Sequence, residues 1–150
     1  RAVIPSIIIQ IATAQEKPVK IKIGHLHPKR DFTYVTDAVQ GFIAAMRSKE
    51  GIGEVTNLGT GFEVSIGETL KLISELMNTP VSIEKETDRL RPHKSEVDRL
   101  CSDIRKAKTL LQWEPLYRNV NGFEKGLSKT IAWFRNPENL KNYKAHIYNI

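Results

Sequence analysis

The sequence has a single cysteine, Cys101, so no disulfide can form within the chain. One free thiol is typical of proteins in a reducing compartment, and it indicates the cytoplasm. No apolar run approaches the ~20 residues that a membrane-spanning helix needs. The longest run, residues 4–14, is broken by Pro5, Ser6 and Gln10. We therefore expect a cytoplasmic protein without a membrane partner.

The signatures of several enzyme classes are also missing from the chain. It has no G-x-G-x-x-G turn, no P-loop, no H-E-x-x-H and no C-x-x-C, which mark dinucleotide, phosphate and metal sites. Reactive thiols need an accessible electropositive setting, so we expect Cys101 to be a packed thiol rather than a nucleophile. His25 and His27 have no third ligand nearby in the sequence, and we interpret them as part of a solvated loop. We expect no metal site.

Positive charge is in moderate excess, because 23 Lys and Arg residues face 17 Asp and Glu residues and give a net charge of +6. This suits an anionic partner, either nucleic acid or a phosphorylated small molecule. The basic residues are scattered, without a long basic block or a strip of interleaved aromatic residues. The distribution favours the small molecule and predicts no nucleic-acid partner.

Helix and strand signals alternate along the chain and predict a mixed α/β or α+β fold. Predicted helices start at residue 4, at a cap formed by Thr36 or Asp37, at the capping box Ser65–Glu68, at Asp103, and at a second capping pattern, Asn121–Glu124. Predicted strands lie at residues 19–23, 32–35, 55–58, 81–85 and 97–101. The tail from Pro137 is expected to form a short helix.

Two arginines could bind an anion. Arg30 precedes a predicted strand at the end of a loop, and Arg91 precedes a proline in a charged, irregular segment. A planar guanidinium that stays charged suits bidentate binding of a diphosphate. For each arginine alone a surface salt bridge is the favoured interpretation, because the spacing does not show that the two converge.

An ordered series of segments identifies a family. Arg30-Asp31-Phe32-Thr33-Tyr34-Val35-Thr36-Asp37 resembles the R-D-[FWY]-x-[YHF]-V-x-D motif of extended short-chain dehydrogenase/reductases that act on nucleotide sugars. Glu54-Val55-Thr56-Asn57-Leu58-Gly59 is similar to the family's E-x-[YIF]-N-[IL]-G. Arg91-Pro92 and Ser95-Glu96-Val97-Asp98 follow. The last part, Asp103, Lys106-Ala107 and Trp113-Glu114-Pro115, resembles D-x-x-K-A-x-x-x-L-G-W-x-P, with Gln112 where glycine is usual. The series covers residues 1–135.

The resemblance implies the fold and the extent of the chain. The fold would be the α/β C-terminal substrate-binding lobe of an extended short-chain dehydrogenase, with a small mixed sheet, packed helices and most of the Rossmann domain missing. Residues 1–150 would form one nucleotide-sugar-binding region, of which about 36–60 would pack on the missing dinucleotide domain. The start at Arg1, without Met, favours a fragment.

The resemblance also implies an activity for the parent protein. Residues 91–97 and 143–150 are most similar to bacterial lyases of polysaccharide biosynthesis, the NAD-dependent 4,6-dehydratases for UDP- or GDP-N-acetylglucosamine of legionaminic-acid-type pathways. In these enzymes NAD oxidises C4, water is lost across C5–C6, and the hydride returns to C6. Two alternatives stay open. One is a nucleotide-sugar 4-epimerase or decarboxylase of the same superfamily, and the other is a non-catalytic basic binding module.

Specific roles follow from the resemblance for the residues that match. Arg30 and Arg91 would clamp the diphosphate of the nucleotide sugar, and Glu96 would accept hydrogen bonds from the ribose hydroxyls. The strand Ile21-Lys22-Ile23 would lie along the base, with Val3 at the mouth of the same pocket. Asp31 and Asp37 would be structural.

The remaining functions would belong to the missing N-terminal part. It would bind NAD, supply the catalytic residues and form the homodimer interface. The present chain alone would then have no catalytic, cofactor-binding or metal-binding residue, and we expect it to be inactive.

Overall fold

The structure of the protein is a computed structural model that describes residues 2–85 and 97–141. These residues form two compact units. Unit 1 contains the described residues of segments 1–28, 65–98 and 127–150, and unit 2 consists of Lys29–Val64 and Arg99–Gly126. The mixed α/β class predicted from the sequence is confirmed.

Unit 1 contains helices and a two-stranded sheet. Its elements are α1 (Val3–Thr13), β1 (Val19–Ile23), α3 (Ile66–Leu76), β4 (Val81–Lys85), the C-terminal part of α5 (Asn119–Arg135) and α6 (Pro137–Leu140). The strands β1 and β4 pair in parallel, from Val19 opposite Val81 to Ile23 opposite Lys85. Helix α1 packs on both β1 and α3.

The core of unit 1 is aliphatic. Alternation along β1 buries Val19, Ile21 and Ile23 and leaves the two lysines between them exposed, as a half-buried strand requires. Helices α1 and α3 contribute the other isoleucines, and α5 adds Leu127, Ile131 and Phe134. The predicted apolar faces of residues 4–16 and 65–77 are thereby confirmed, although α1 is shorter than predicted.

Unit 2 contains short strands and two complete helices. Its elements are β2 (Lys29–Arg30), α2 (Val35–Arg47), β3 (Val64–Ser65, of which Ser65 is assigned to unit 1), β5 (Arg99–Leu100), α4 (Arg105–Leu111) and the N-terminal part of α5. The strand order is β3-β2-β5, and β2 pairs with β5 in parallel. The described residues thus form two small sheets.

The core of unit 2 is small. Ala107, Leu111 and Trp113 form a buried cluster that packs against Ala44, Leu58 and Leu110. Aromatic pairs add to it, since Phe123 lies near Phe32 and Phe62 and the rings of Tyr34 and Tyr117 have centroids 4.4 Å apart. Helix α2 buries only Asp37 and Gly41. One of its faces carries exposed apolar side chains, which we call the α2 stripe: Val35, Val39, Phe42 and Met46.

Helix caps explain several differences from the sequence-based predictions. The capping box of Ser65 and Glu68 is confirmed at the start of α3. Thr36 and Asp37 are already inside α2, whose N-cap is Tyr34, and the Asp37 carboxylate accepts from the Tyr117 N–H. The predicted cap at Asn121 is also wrong, since α5 begins at Asn119.

Two predicted strands are wrong. Residues 32–34 and 54–58 have no strand assignment, although both contain β-branched or aromatic residues, because a strand forms only where a neighbour completes its hydrogen bonds. The strand of this region is β2 instead. In the sequence 97–101 only Arg99 and Leu100 are paired. Among the described residues, no helix has the length and apolarity needed to cross a membrane.

Candidate functional site

Arg30 is the last residue of β2 and is half-buried. It lies in register with Leu100 of β5, and the next N–H, that of Asp31, donates to the Leu100 carbonyl at 3.0 Å. The Arg30 Nη1 donates to the Lys29 carbonyl at 2.8 Å. The backbone of this arginine is therefore fixed on one side by β5.

The Asp31 carboxylate connects three segments of unit 2. It accepts from the Thr60 N–H at 3.0 Å, from the Thr60 hydroxyl, and from the Gly61 N–H at 3.0 Å. It also accepts from the Ser102 N–H at 3.2 Å. Four donors around one ionised carboxylate satisfy most of its acceptor capacity. The structural role expected for Asp31 is supported by these bonds.

The Gly59-Thr60-Gly61 turn fits closely against this carboxylate. A Cβ on Gly59 would lie 2.3 Å from Ser102 Oγ and 2.9 Å from Asp31 Oδ2, and Gly61 has φ +68°. Both positions therefore need glycine. The N–H groups of Thr60 and Gly61 point at Asp31, so this turn does not offer them to a phosphate.

Ion pairs surround the same sheet. Glu63 pairs with Arg99 of β5, and its other oxygen lies 3.9 Å from Lys29 Nζ. The hydrogen bond that Arg99 donates to Glu63, together with the negative charge of Glu63, raises the pKa of Arg99. Lys29 and Arg99 are thus partly neutralised by one carboxylate.

The predicted base-binding strand is β1, and its side chains differ sharply in their exposure to solvent. Ile21 and Ile23 are 0% and 6% exposed and belong to the core, whereas Lys22 is exposed. The main chain of Lys22 pairs with the Gln10 carboxamide, since its N–H donates to Gln10 Oε1 at 2.8 Å and its carbonyl accepts from Nε2 at 3.2 Å. The main chain of β1 at Lys22 is therefore already hydrogen-bonded, and the exposed group that this strand leaves for a ligand is the Lys22 side chain rather than the isoleucine side chains.

The predicted site residues fall in different places. Val3, the first residue of α1, and Ile21, Lys22 and Ile23 lie in unit 1, and Arg30 lies in unit 2. Arg91 and Glu96 lie outside the described residues. The clamp of Arg30 with Arg91 and the ribose contact of Glu96 therefore stay predictions.

The half-buried His25 and the exposed His27 form a small cluster with an acidic residue. The rings of His25 and His27 have centroids 5.3 Å apart, and His27 Nε2 lies 3.1 Å from Asp98 Oδ1. Within residues 2–85 and 97–141 no group of three potential metal ligands comes together. The cluster has the exposure expected of a loop.

The prediction that Cys101 is a packed thiol is wrong, because this residue is exposed. It follows the two-residue strand β5, whose side chains are both exposed, so the apolar alternation does not reach the core. Partial desolvation raises the pKa of the Cys101 thiol, and the carboxylates of Asp31 and Glu63 act in the same direction. A raised pKa leaves less of the reactive thiolate, which disfavours a nucleophilic role.

The sequence reasoning missed the hydrogen bonds of Asp31 and the Gln10–Lys22 pairing. The only signals for the former were an aspartate next to Arg30 and a G-T-G turn about thirty residues later. Neither feature identifies its hydrogen-bond partner from the sequence, because an aspartate in a loop usually accepts from nearby backbone N–H groups. The connection depends on the tertiary fold.

A family model described as GDP-mannose 4,6 dehydratase matches residues 1–129. The chain belongs to this family of NAD-dependent nucleotide-sugar epimerases and dehydratases.

Family relatives catalyse several reactions. The chain is 35% identical over 134 residues to UDP-glucuronate 4-epimerase of Thermodesulfobacterium geofontis, covering 87% of this chain and 38% of the relative. It is 39% identical over 112 residues to UDP-N-acetyl-alpha-D-glucosaminuronate decarboxylase of Bacillus cytotoxicus, covering 73% and 33%. A third relative is human dTDP-D-glucose 4,6-dehydratase, 32% identical over 123 residues, covering 77% and 31%. The chain thus spans about a third of each relative.

Solved structures of the family share the fold. An epimerase from Methanothermobacter thermautotrophicus aligns with a TM-score of 0.79 and 33% identity, over 95% of this chain and 39% of its own. A UDP-glucuronic acid 4-epimerase variant from Bacillus cereus, in complex with a UDP-4-deoxy-4-fluoro-glucuronic acid and NAD, aligns at 0.70 and 27% identity, over 94% and 40%.

Proposed function

We propose that the chain is the substrate-binding part of an NAD-dependent enzyme that modifies nucleotide sugars, and that its parent protein is a 4,6-dehydratase for UDP- or GDP-N-acetylglucosamine. The observation that carries the proposal is the family match over residues 1–129, which includes Arg30. The dehydratase reaction is supported by the description of that family. The net charge of +6 suits a diphosphate substrate.

The proposed roles use chemistry that the side chains can supply. Arg30, together with Arg91, binds the diphosphate, because a guanidinium donates to two phosphate oxygens in one plane. Glu96 accepts from the ribose hydroxyls. The base lies along Ile21-Lys22-Ile23, with Val3 at the mouth of its pocket. The burial of Ile21 and Ile23 supports a role for the exposed Lys22 side chain in this contact.

The cofactor would be held by residues outside this chain. The sequence has no G-x-G-x-x-G turn, and the N–H groups of Thr60 and Gly61 already bind Asp31. The residues present therefore do not fit a dinucleotide, and we expect the chain alone to be inactive. The parent protein would be cytoplasmic and would dimerise through that other part.

Residues 36–60 are proposed to pack on the dinucleotide domain of the parent protein. The α2 stripe supports this proposal, because Phe42 and Met46 are 65% and 87% exposed. Ile52 and Val55, in the segment after the helix, are similarly exposed. A contiguous exposed apolar surface usually marks a contact with another protein part.

A 4-epimerase or decarboxylase reaction is the second candidate. It is favoured by the two relatives at 35% and 39% identity, which carry these activities in their names. All three reactions would use the same substrate-binding part, so residues of this chain do not separate them.

A product assay with the parent protein tests the proposal. The protein, with NAD, would be incubated with UDP- and GDP-N-acetylglucosamine, and the products identified by NMR. A 4-keto-6-deoxy sugar is the expected product. An epimerised sugar would replace the dehydratase assignment by the second candidate. Release of CO₂ from the corresponding uronic acid would do the same. No turnover of any nucleotide sugar, with salt-sensitive binding to random DNA, would support a basic binding module instead.

A further inference from the structure

We propose that Asp31 is a positioning residue that holds Arg30 in the orientation needed for the diphosphate, an inference that rests on the proposed function of Arg30. The two residues are adjacent at the end of β2. Asp31 is held through both its backbone, by the 3.0 Å bond to Leu100, and its side chain, by bonds to Thr60, Gly61 and Ser102.

The arrangement restricts the backbone at Arg30. Its own strand is only two residues long, so strand pairing alone would leave its end free to fray. The Asp31 carboxylate extends that anchoring to the 59–61 turn and to the residue after Cys101. A backbone rotation at Arg30 that redirected its side chain would also move Asp31, and it would therefore strain the bonds of Asp31 to Leu100, Thr60, Gly61 and Ser102. We therefore infer that the Asp31 carboxylate fixes the Arg30 backbone, and with it the direction in which the Arg30 side chain leaves the strand.

The groups that face Asp31 favour a carboxylate. Three of them are N–H groups, which can only donate, and the fourth is the Thr60 hydroxyl, whereas an ionised carboxylate only accepts. An asparagine of the same shape would present an NH₂ group to at least one of these N–H groups in either flip. Asp31→Asn should therefore open the network while changing the volume very little.

Asp37 provides a matched control. It belongs to the same unit, is 2% exposed, and its carboxylate accepts from the Tyr117 N–H at 2.8 Å. Its substitution by asparagine should lower stability without moving β2. A general loss of stability and a loss of Arg30 positioning can thus be separated.

The experiment compares a diphosphate with its nucleoside on the whole chain. Binding of UDP and uridine, and of GDP and guanosine, would be measured by NMR titration for the wild type and for Arg30→Gln, Asp31→Asn and Asp37→Asn. We expect Arg30→Gln to weaken diphosphate binding about tenfold, the loss of a charge-assisted contact, and to leave nucleoside binding unchanged. Asp31→Asn should weaken diphosphate binding selectively in the same way, by about threefold or more. Asp37→Asn should leave unchanged the affinity of UDP relative to uridine and that of GDP relative to guanosine.

A second variant covers the case in which Asp31→Asn does not fold. Thr60→Val removes one donor to Asp31 and should reduce the diphosphate-to-nucleoside preference, and Thr60→Ser, which retains the hydroxyl, should restore it. If Arg30→Gln is selective while Asp31→Asn and Thr60→Val are not, the positioning role is overturned and the proposed function stands. If Arg30→Gln has no selective effect, both are overturned.

Discussion

The two units of the chain are stabilised in different ways. Unit 1 has an aliphatic core in which Ile7, Ile8, Ile21 and Ile73 are 0–1% exposed. Unit 2 buries fewer large side chains and holds its loops with the Asp31 and Asp37 carboxylates. Most of the exposed large hydrophobic residues of the described chain also lie there: Val35, Val39, Phe42, Met46, Ile52, Val55, Leu100, Leu116 and Val120.

The apolar core of unit 1 and the polar network of unit 2 suit different tasks, namely stability of the fold and recognition of a ligand. Burial of apolar area is non-directional, so a unit built on it tolerates changes at its surface. A polar network depends on geometry, and each lost partner leaves a group that water must satisfy. We infer that unit 1 supplies most of the stability of the chain. Under the proposed function, unit 2 would supply the substrate-binding arginine and an apolar face for the rest of the parent protein.

The largest expected effect is on the core of unit 1. Ile73→Ala should lower the free energy of unfolding by roughly 2–5 kcal/mol, the range for truncating a fully buried isoleucine. Ile83→Ala, at a residue 49% exposed in the same unit, should cost less than about 1 kcal/mol. Urea denaturation followed by circular dichroism measures both. Equal losses would contradict the burial contrast.

A smaller effect is expected at the turn of unit 2. Gly59→Ala forces a Cβ to within 2.4 Å of the Ser102 Cβ and should destabilise the chain by about 1–3 kcal/mol. The double variant with Ser102→Gly should recover part of this loss. Gly67→Ala is the control, because its Cβ would meet Leu26 at an ordinary 3.5 Å. A Gly59→Ala variant as stable as Gly67→Ala would show that the turn is loosely packed.

The α2 stripe should affect association rather than stability. Phe42→Ser with Met46→Lys should change the free energy of unfolding by less than about 0.5 kcal/mol per site, because both side chains are exposed. Self-association of the chain, measured by sedimentation velocity, should fall. Leu116→Ser, at a residue 83% exposed outside the stripe, is the control. If Leu116→Ser reduced self-association as much as the double variant, the α2 stripe would have no special role in association.

The smallest effect concerns pH. The Arg105 side chain, and then its N–H, donate to Asp103 and lower the pKa of that carboxyl from 3.8 to about 2. Because the pKa is lowered in the folded chain, the ionised form stabilises it above about pH 4, and this contribution is lost as the pH falls towards 2. An NMR titration should place the Asp103 midpoint near 2, and Arg105→Gln should raise it. A midpoint near 3.8 in the wild type would mean that the pair does not form in solution.

The sequence was most informative where local periodicity and burial agree. Strand β1, helix α3 and its capping box were predicted because alternation and the Ser65–Glu68 spacing are local signals. The strands at 32–35 and 55–58 were not found, because strand formation depends on a partner that periodicity does not specify. Arg30 came from the family resemblance. The Asp31 network could not be predicted, since its partners are 29 and 71 positions away.

An NMR titration of the ¹⁵N-labelled chain with UDP- and GDP-N-acetylglucosamine tests directly whether the chain binds a nucleotide sugar. We expect one of them to perturb the Arg30 side-chain Nε–H and the Lys22 backbone N–H, and we expect Arg30→Gln to weaken this binding. If neither nucleotide sugar perturbs these two groups at millimolar concentration, the chain does not have the substrate-binding role proposed for it.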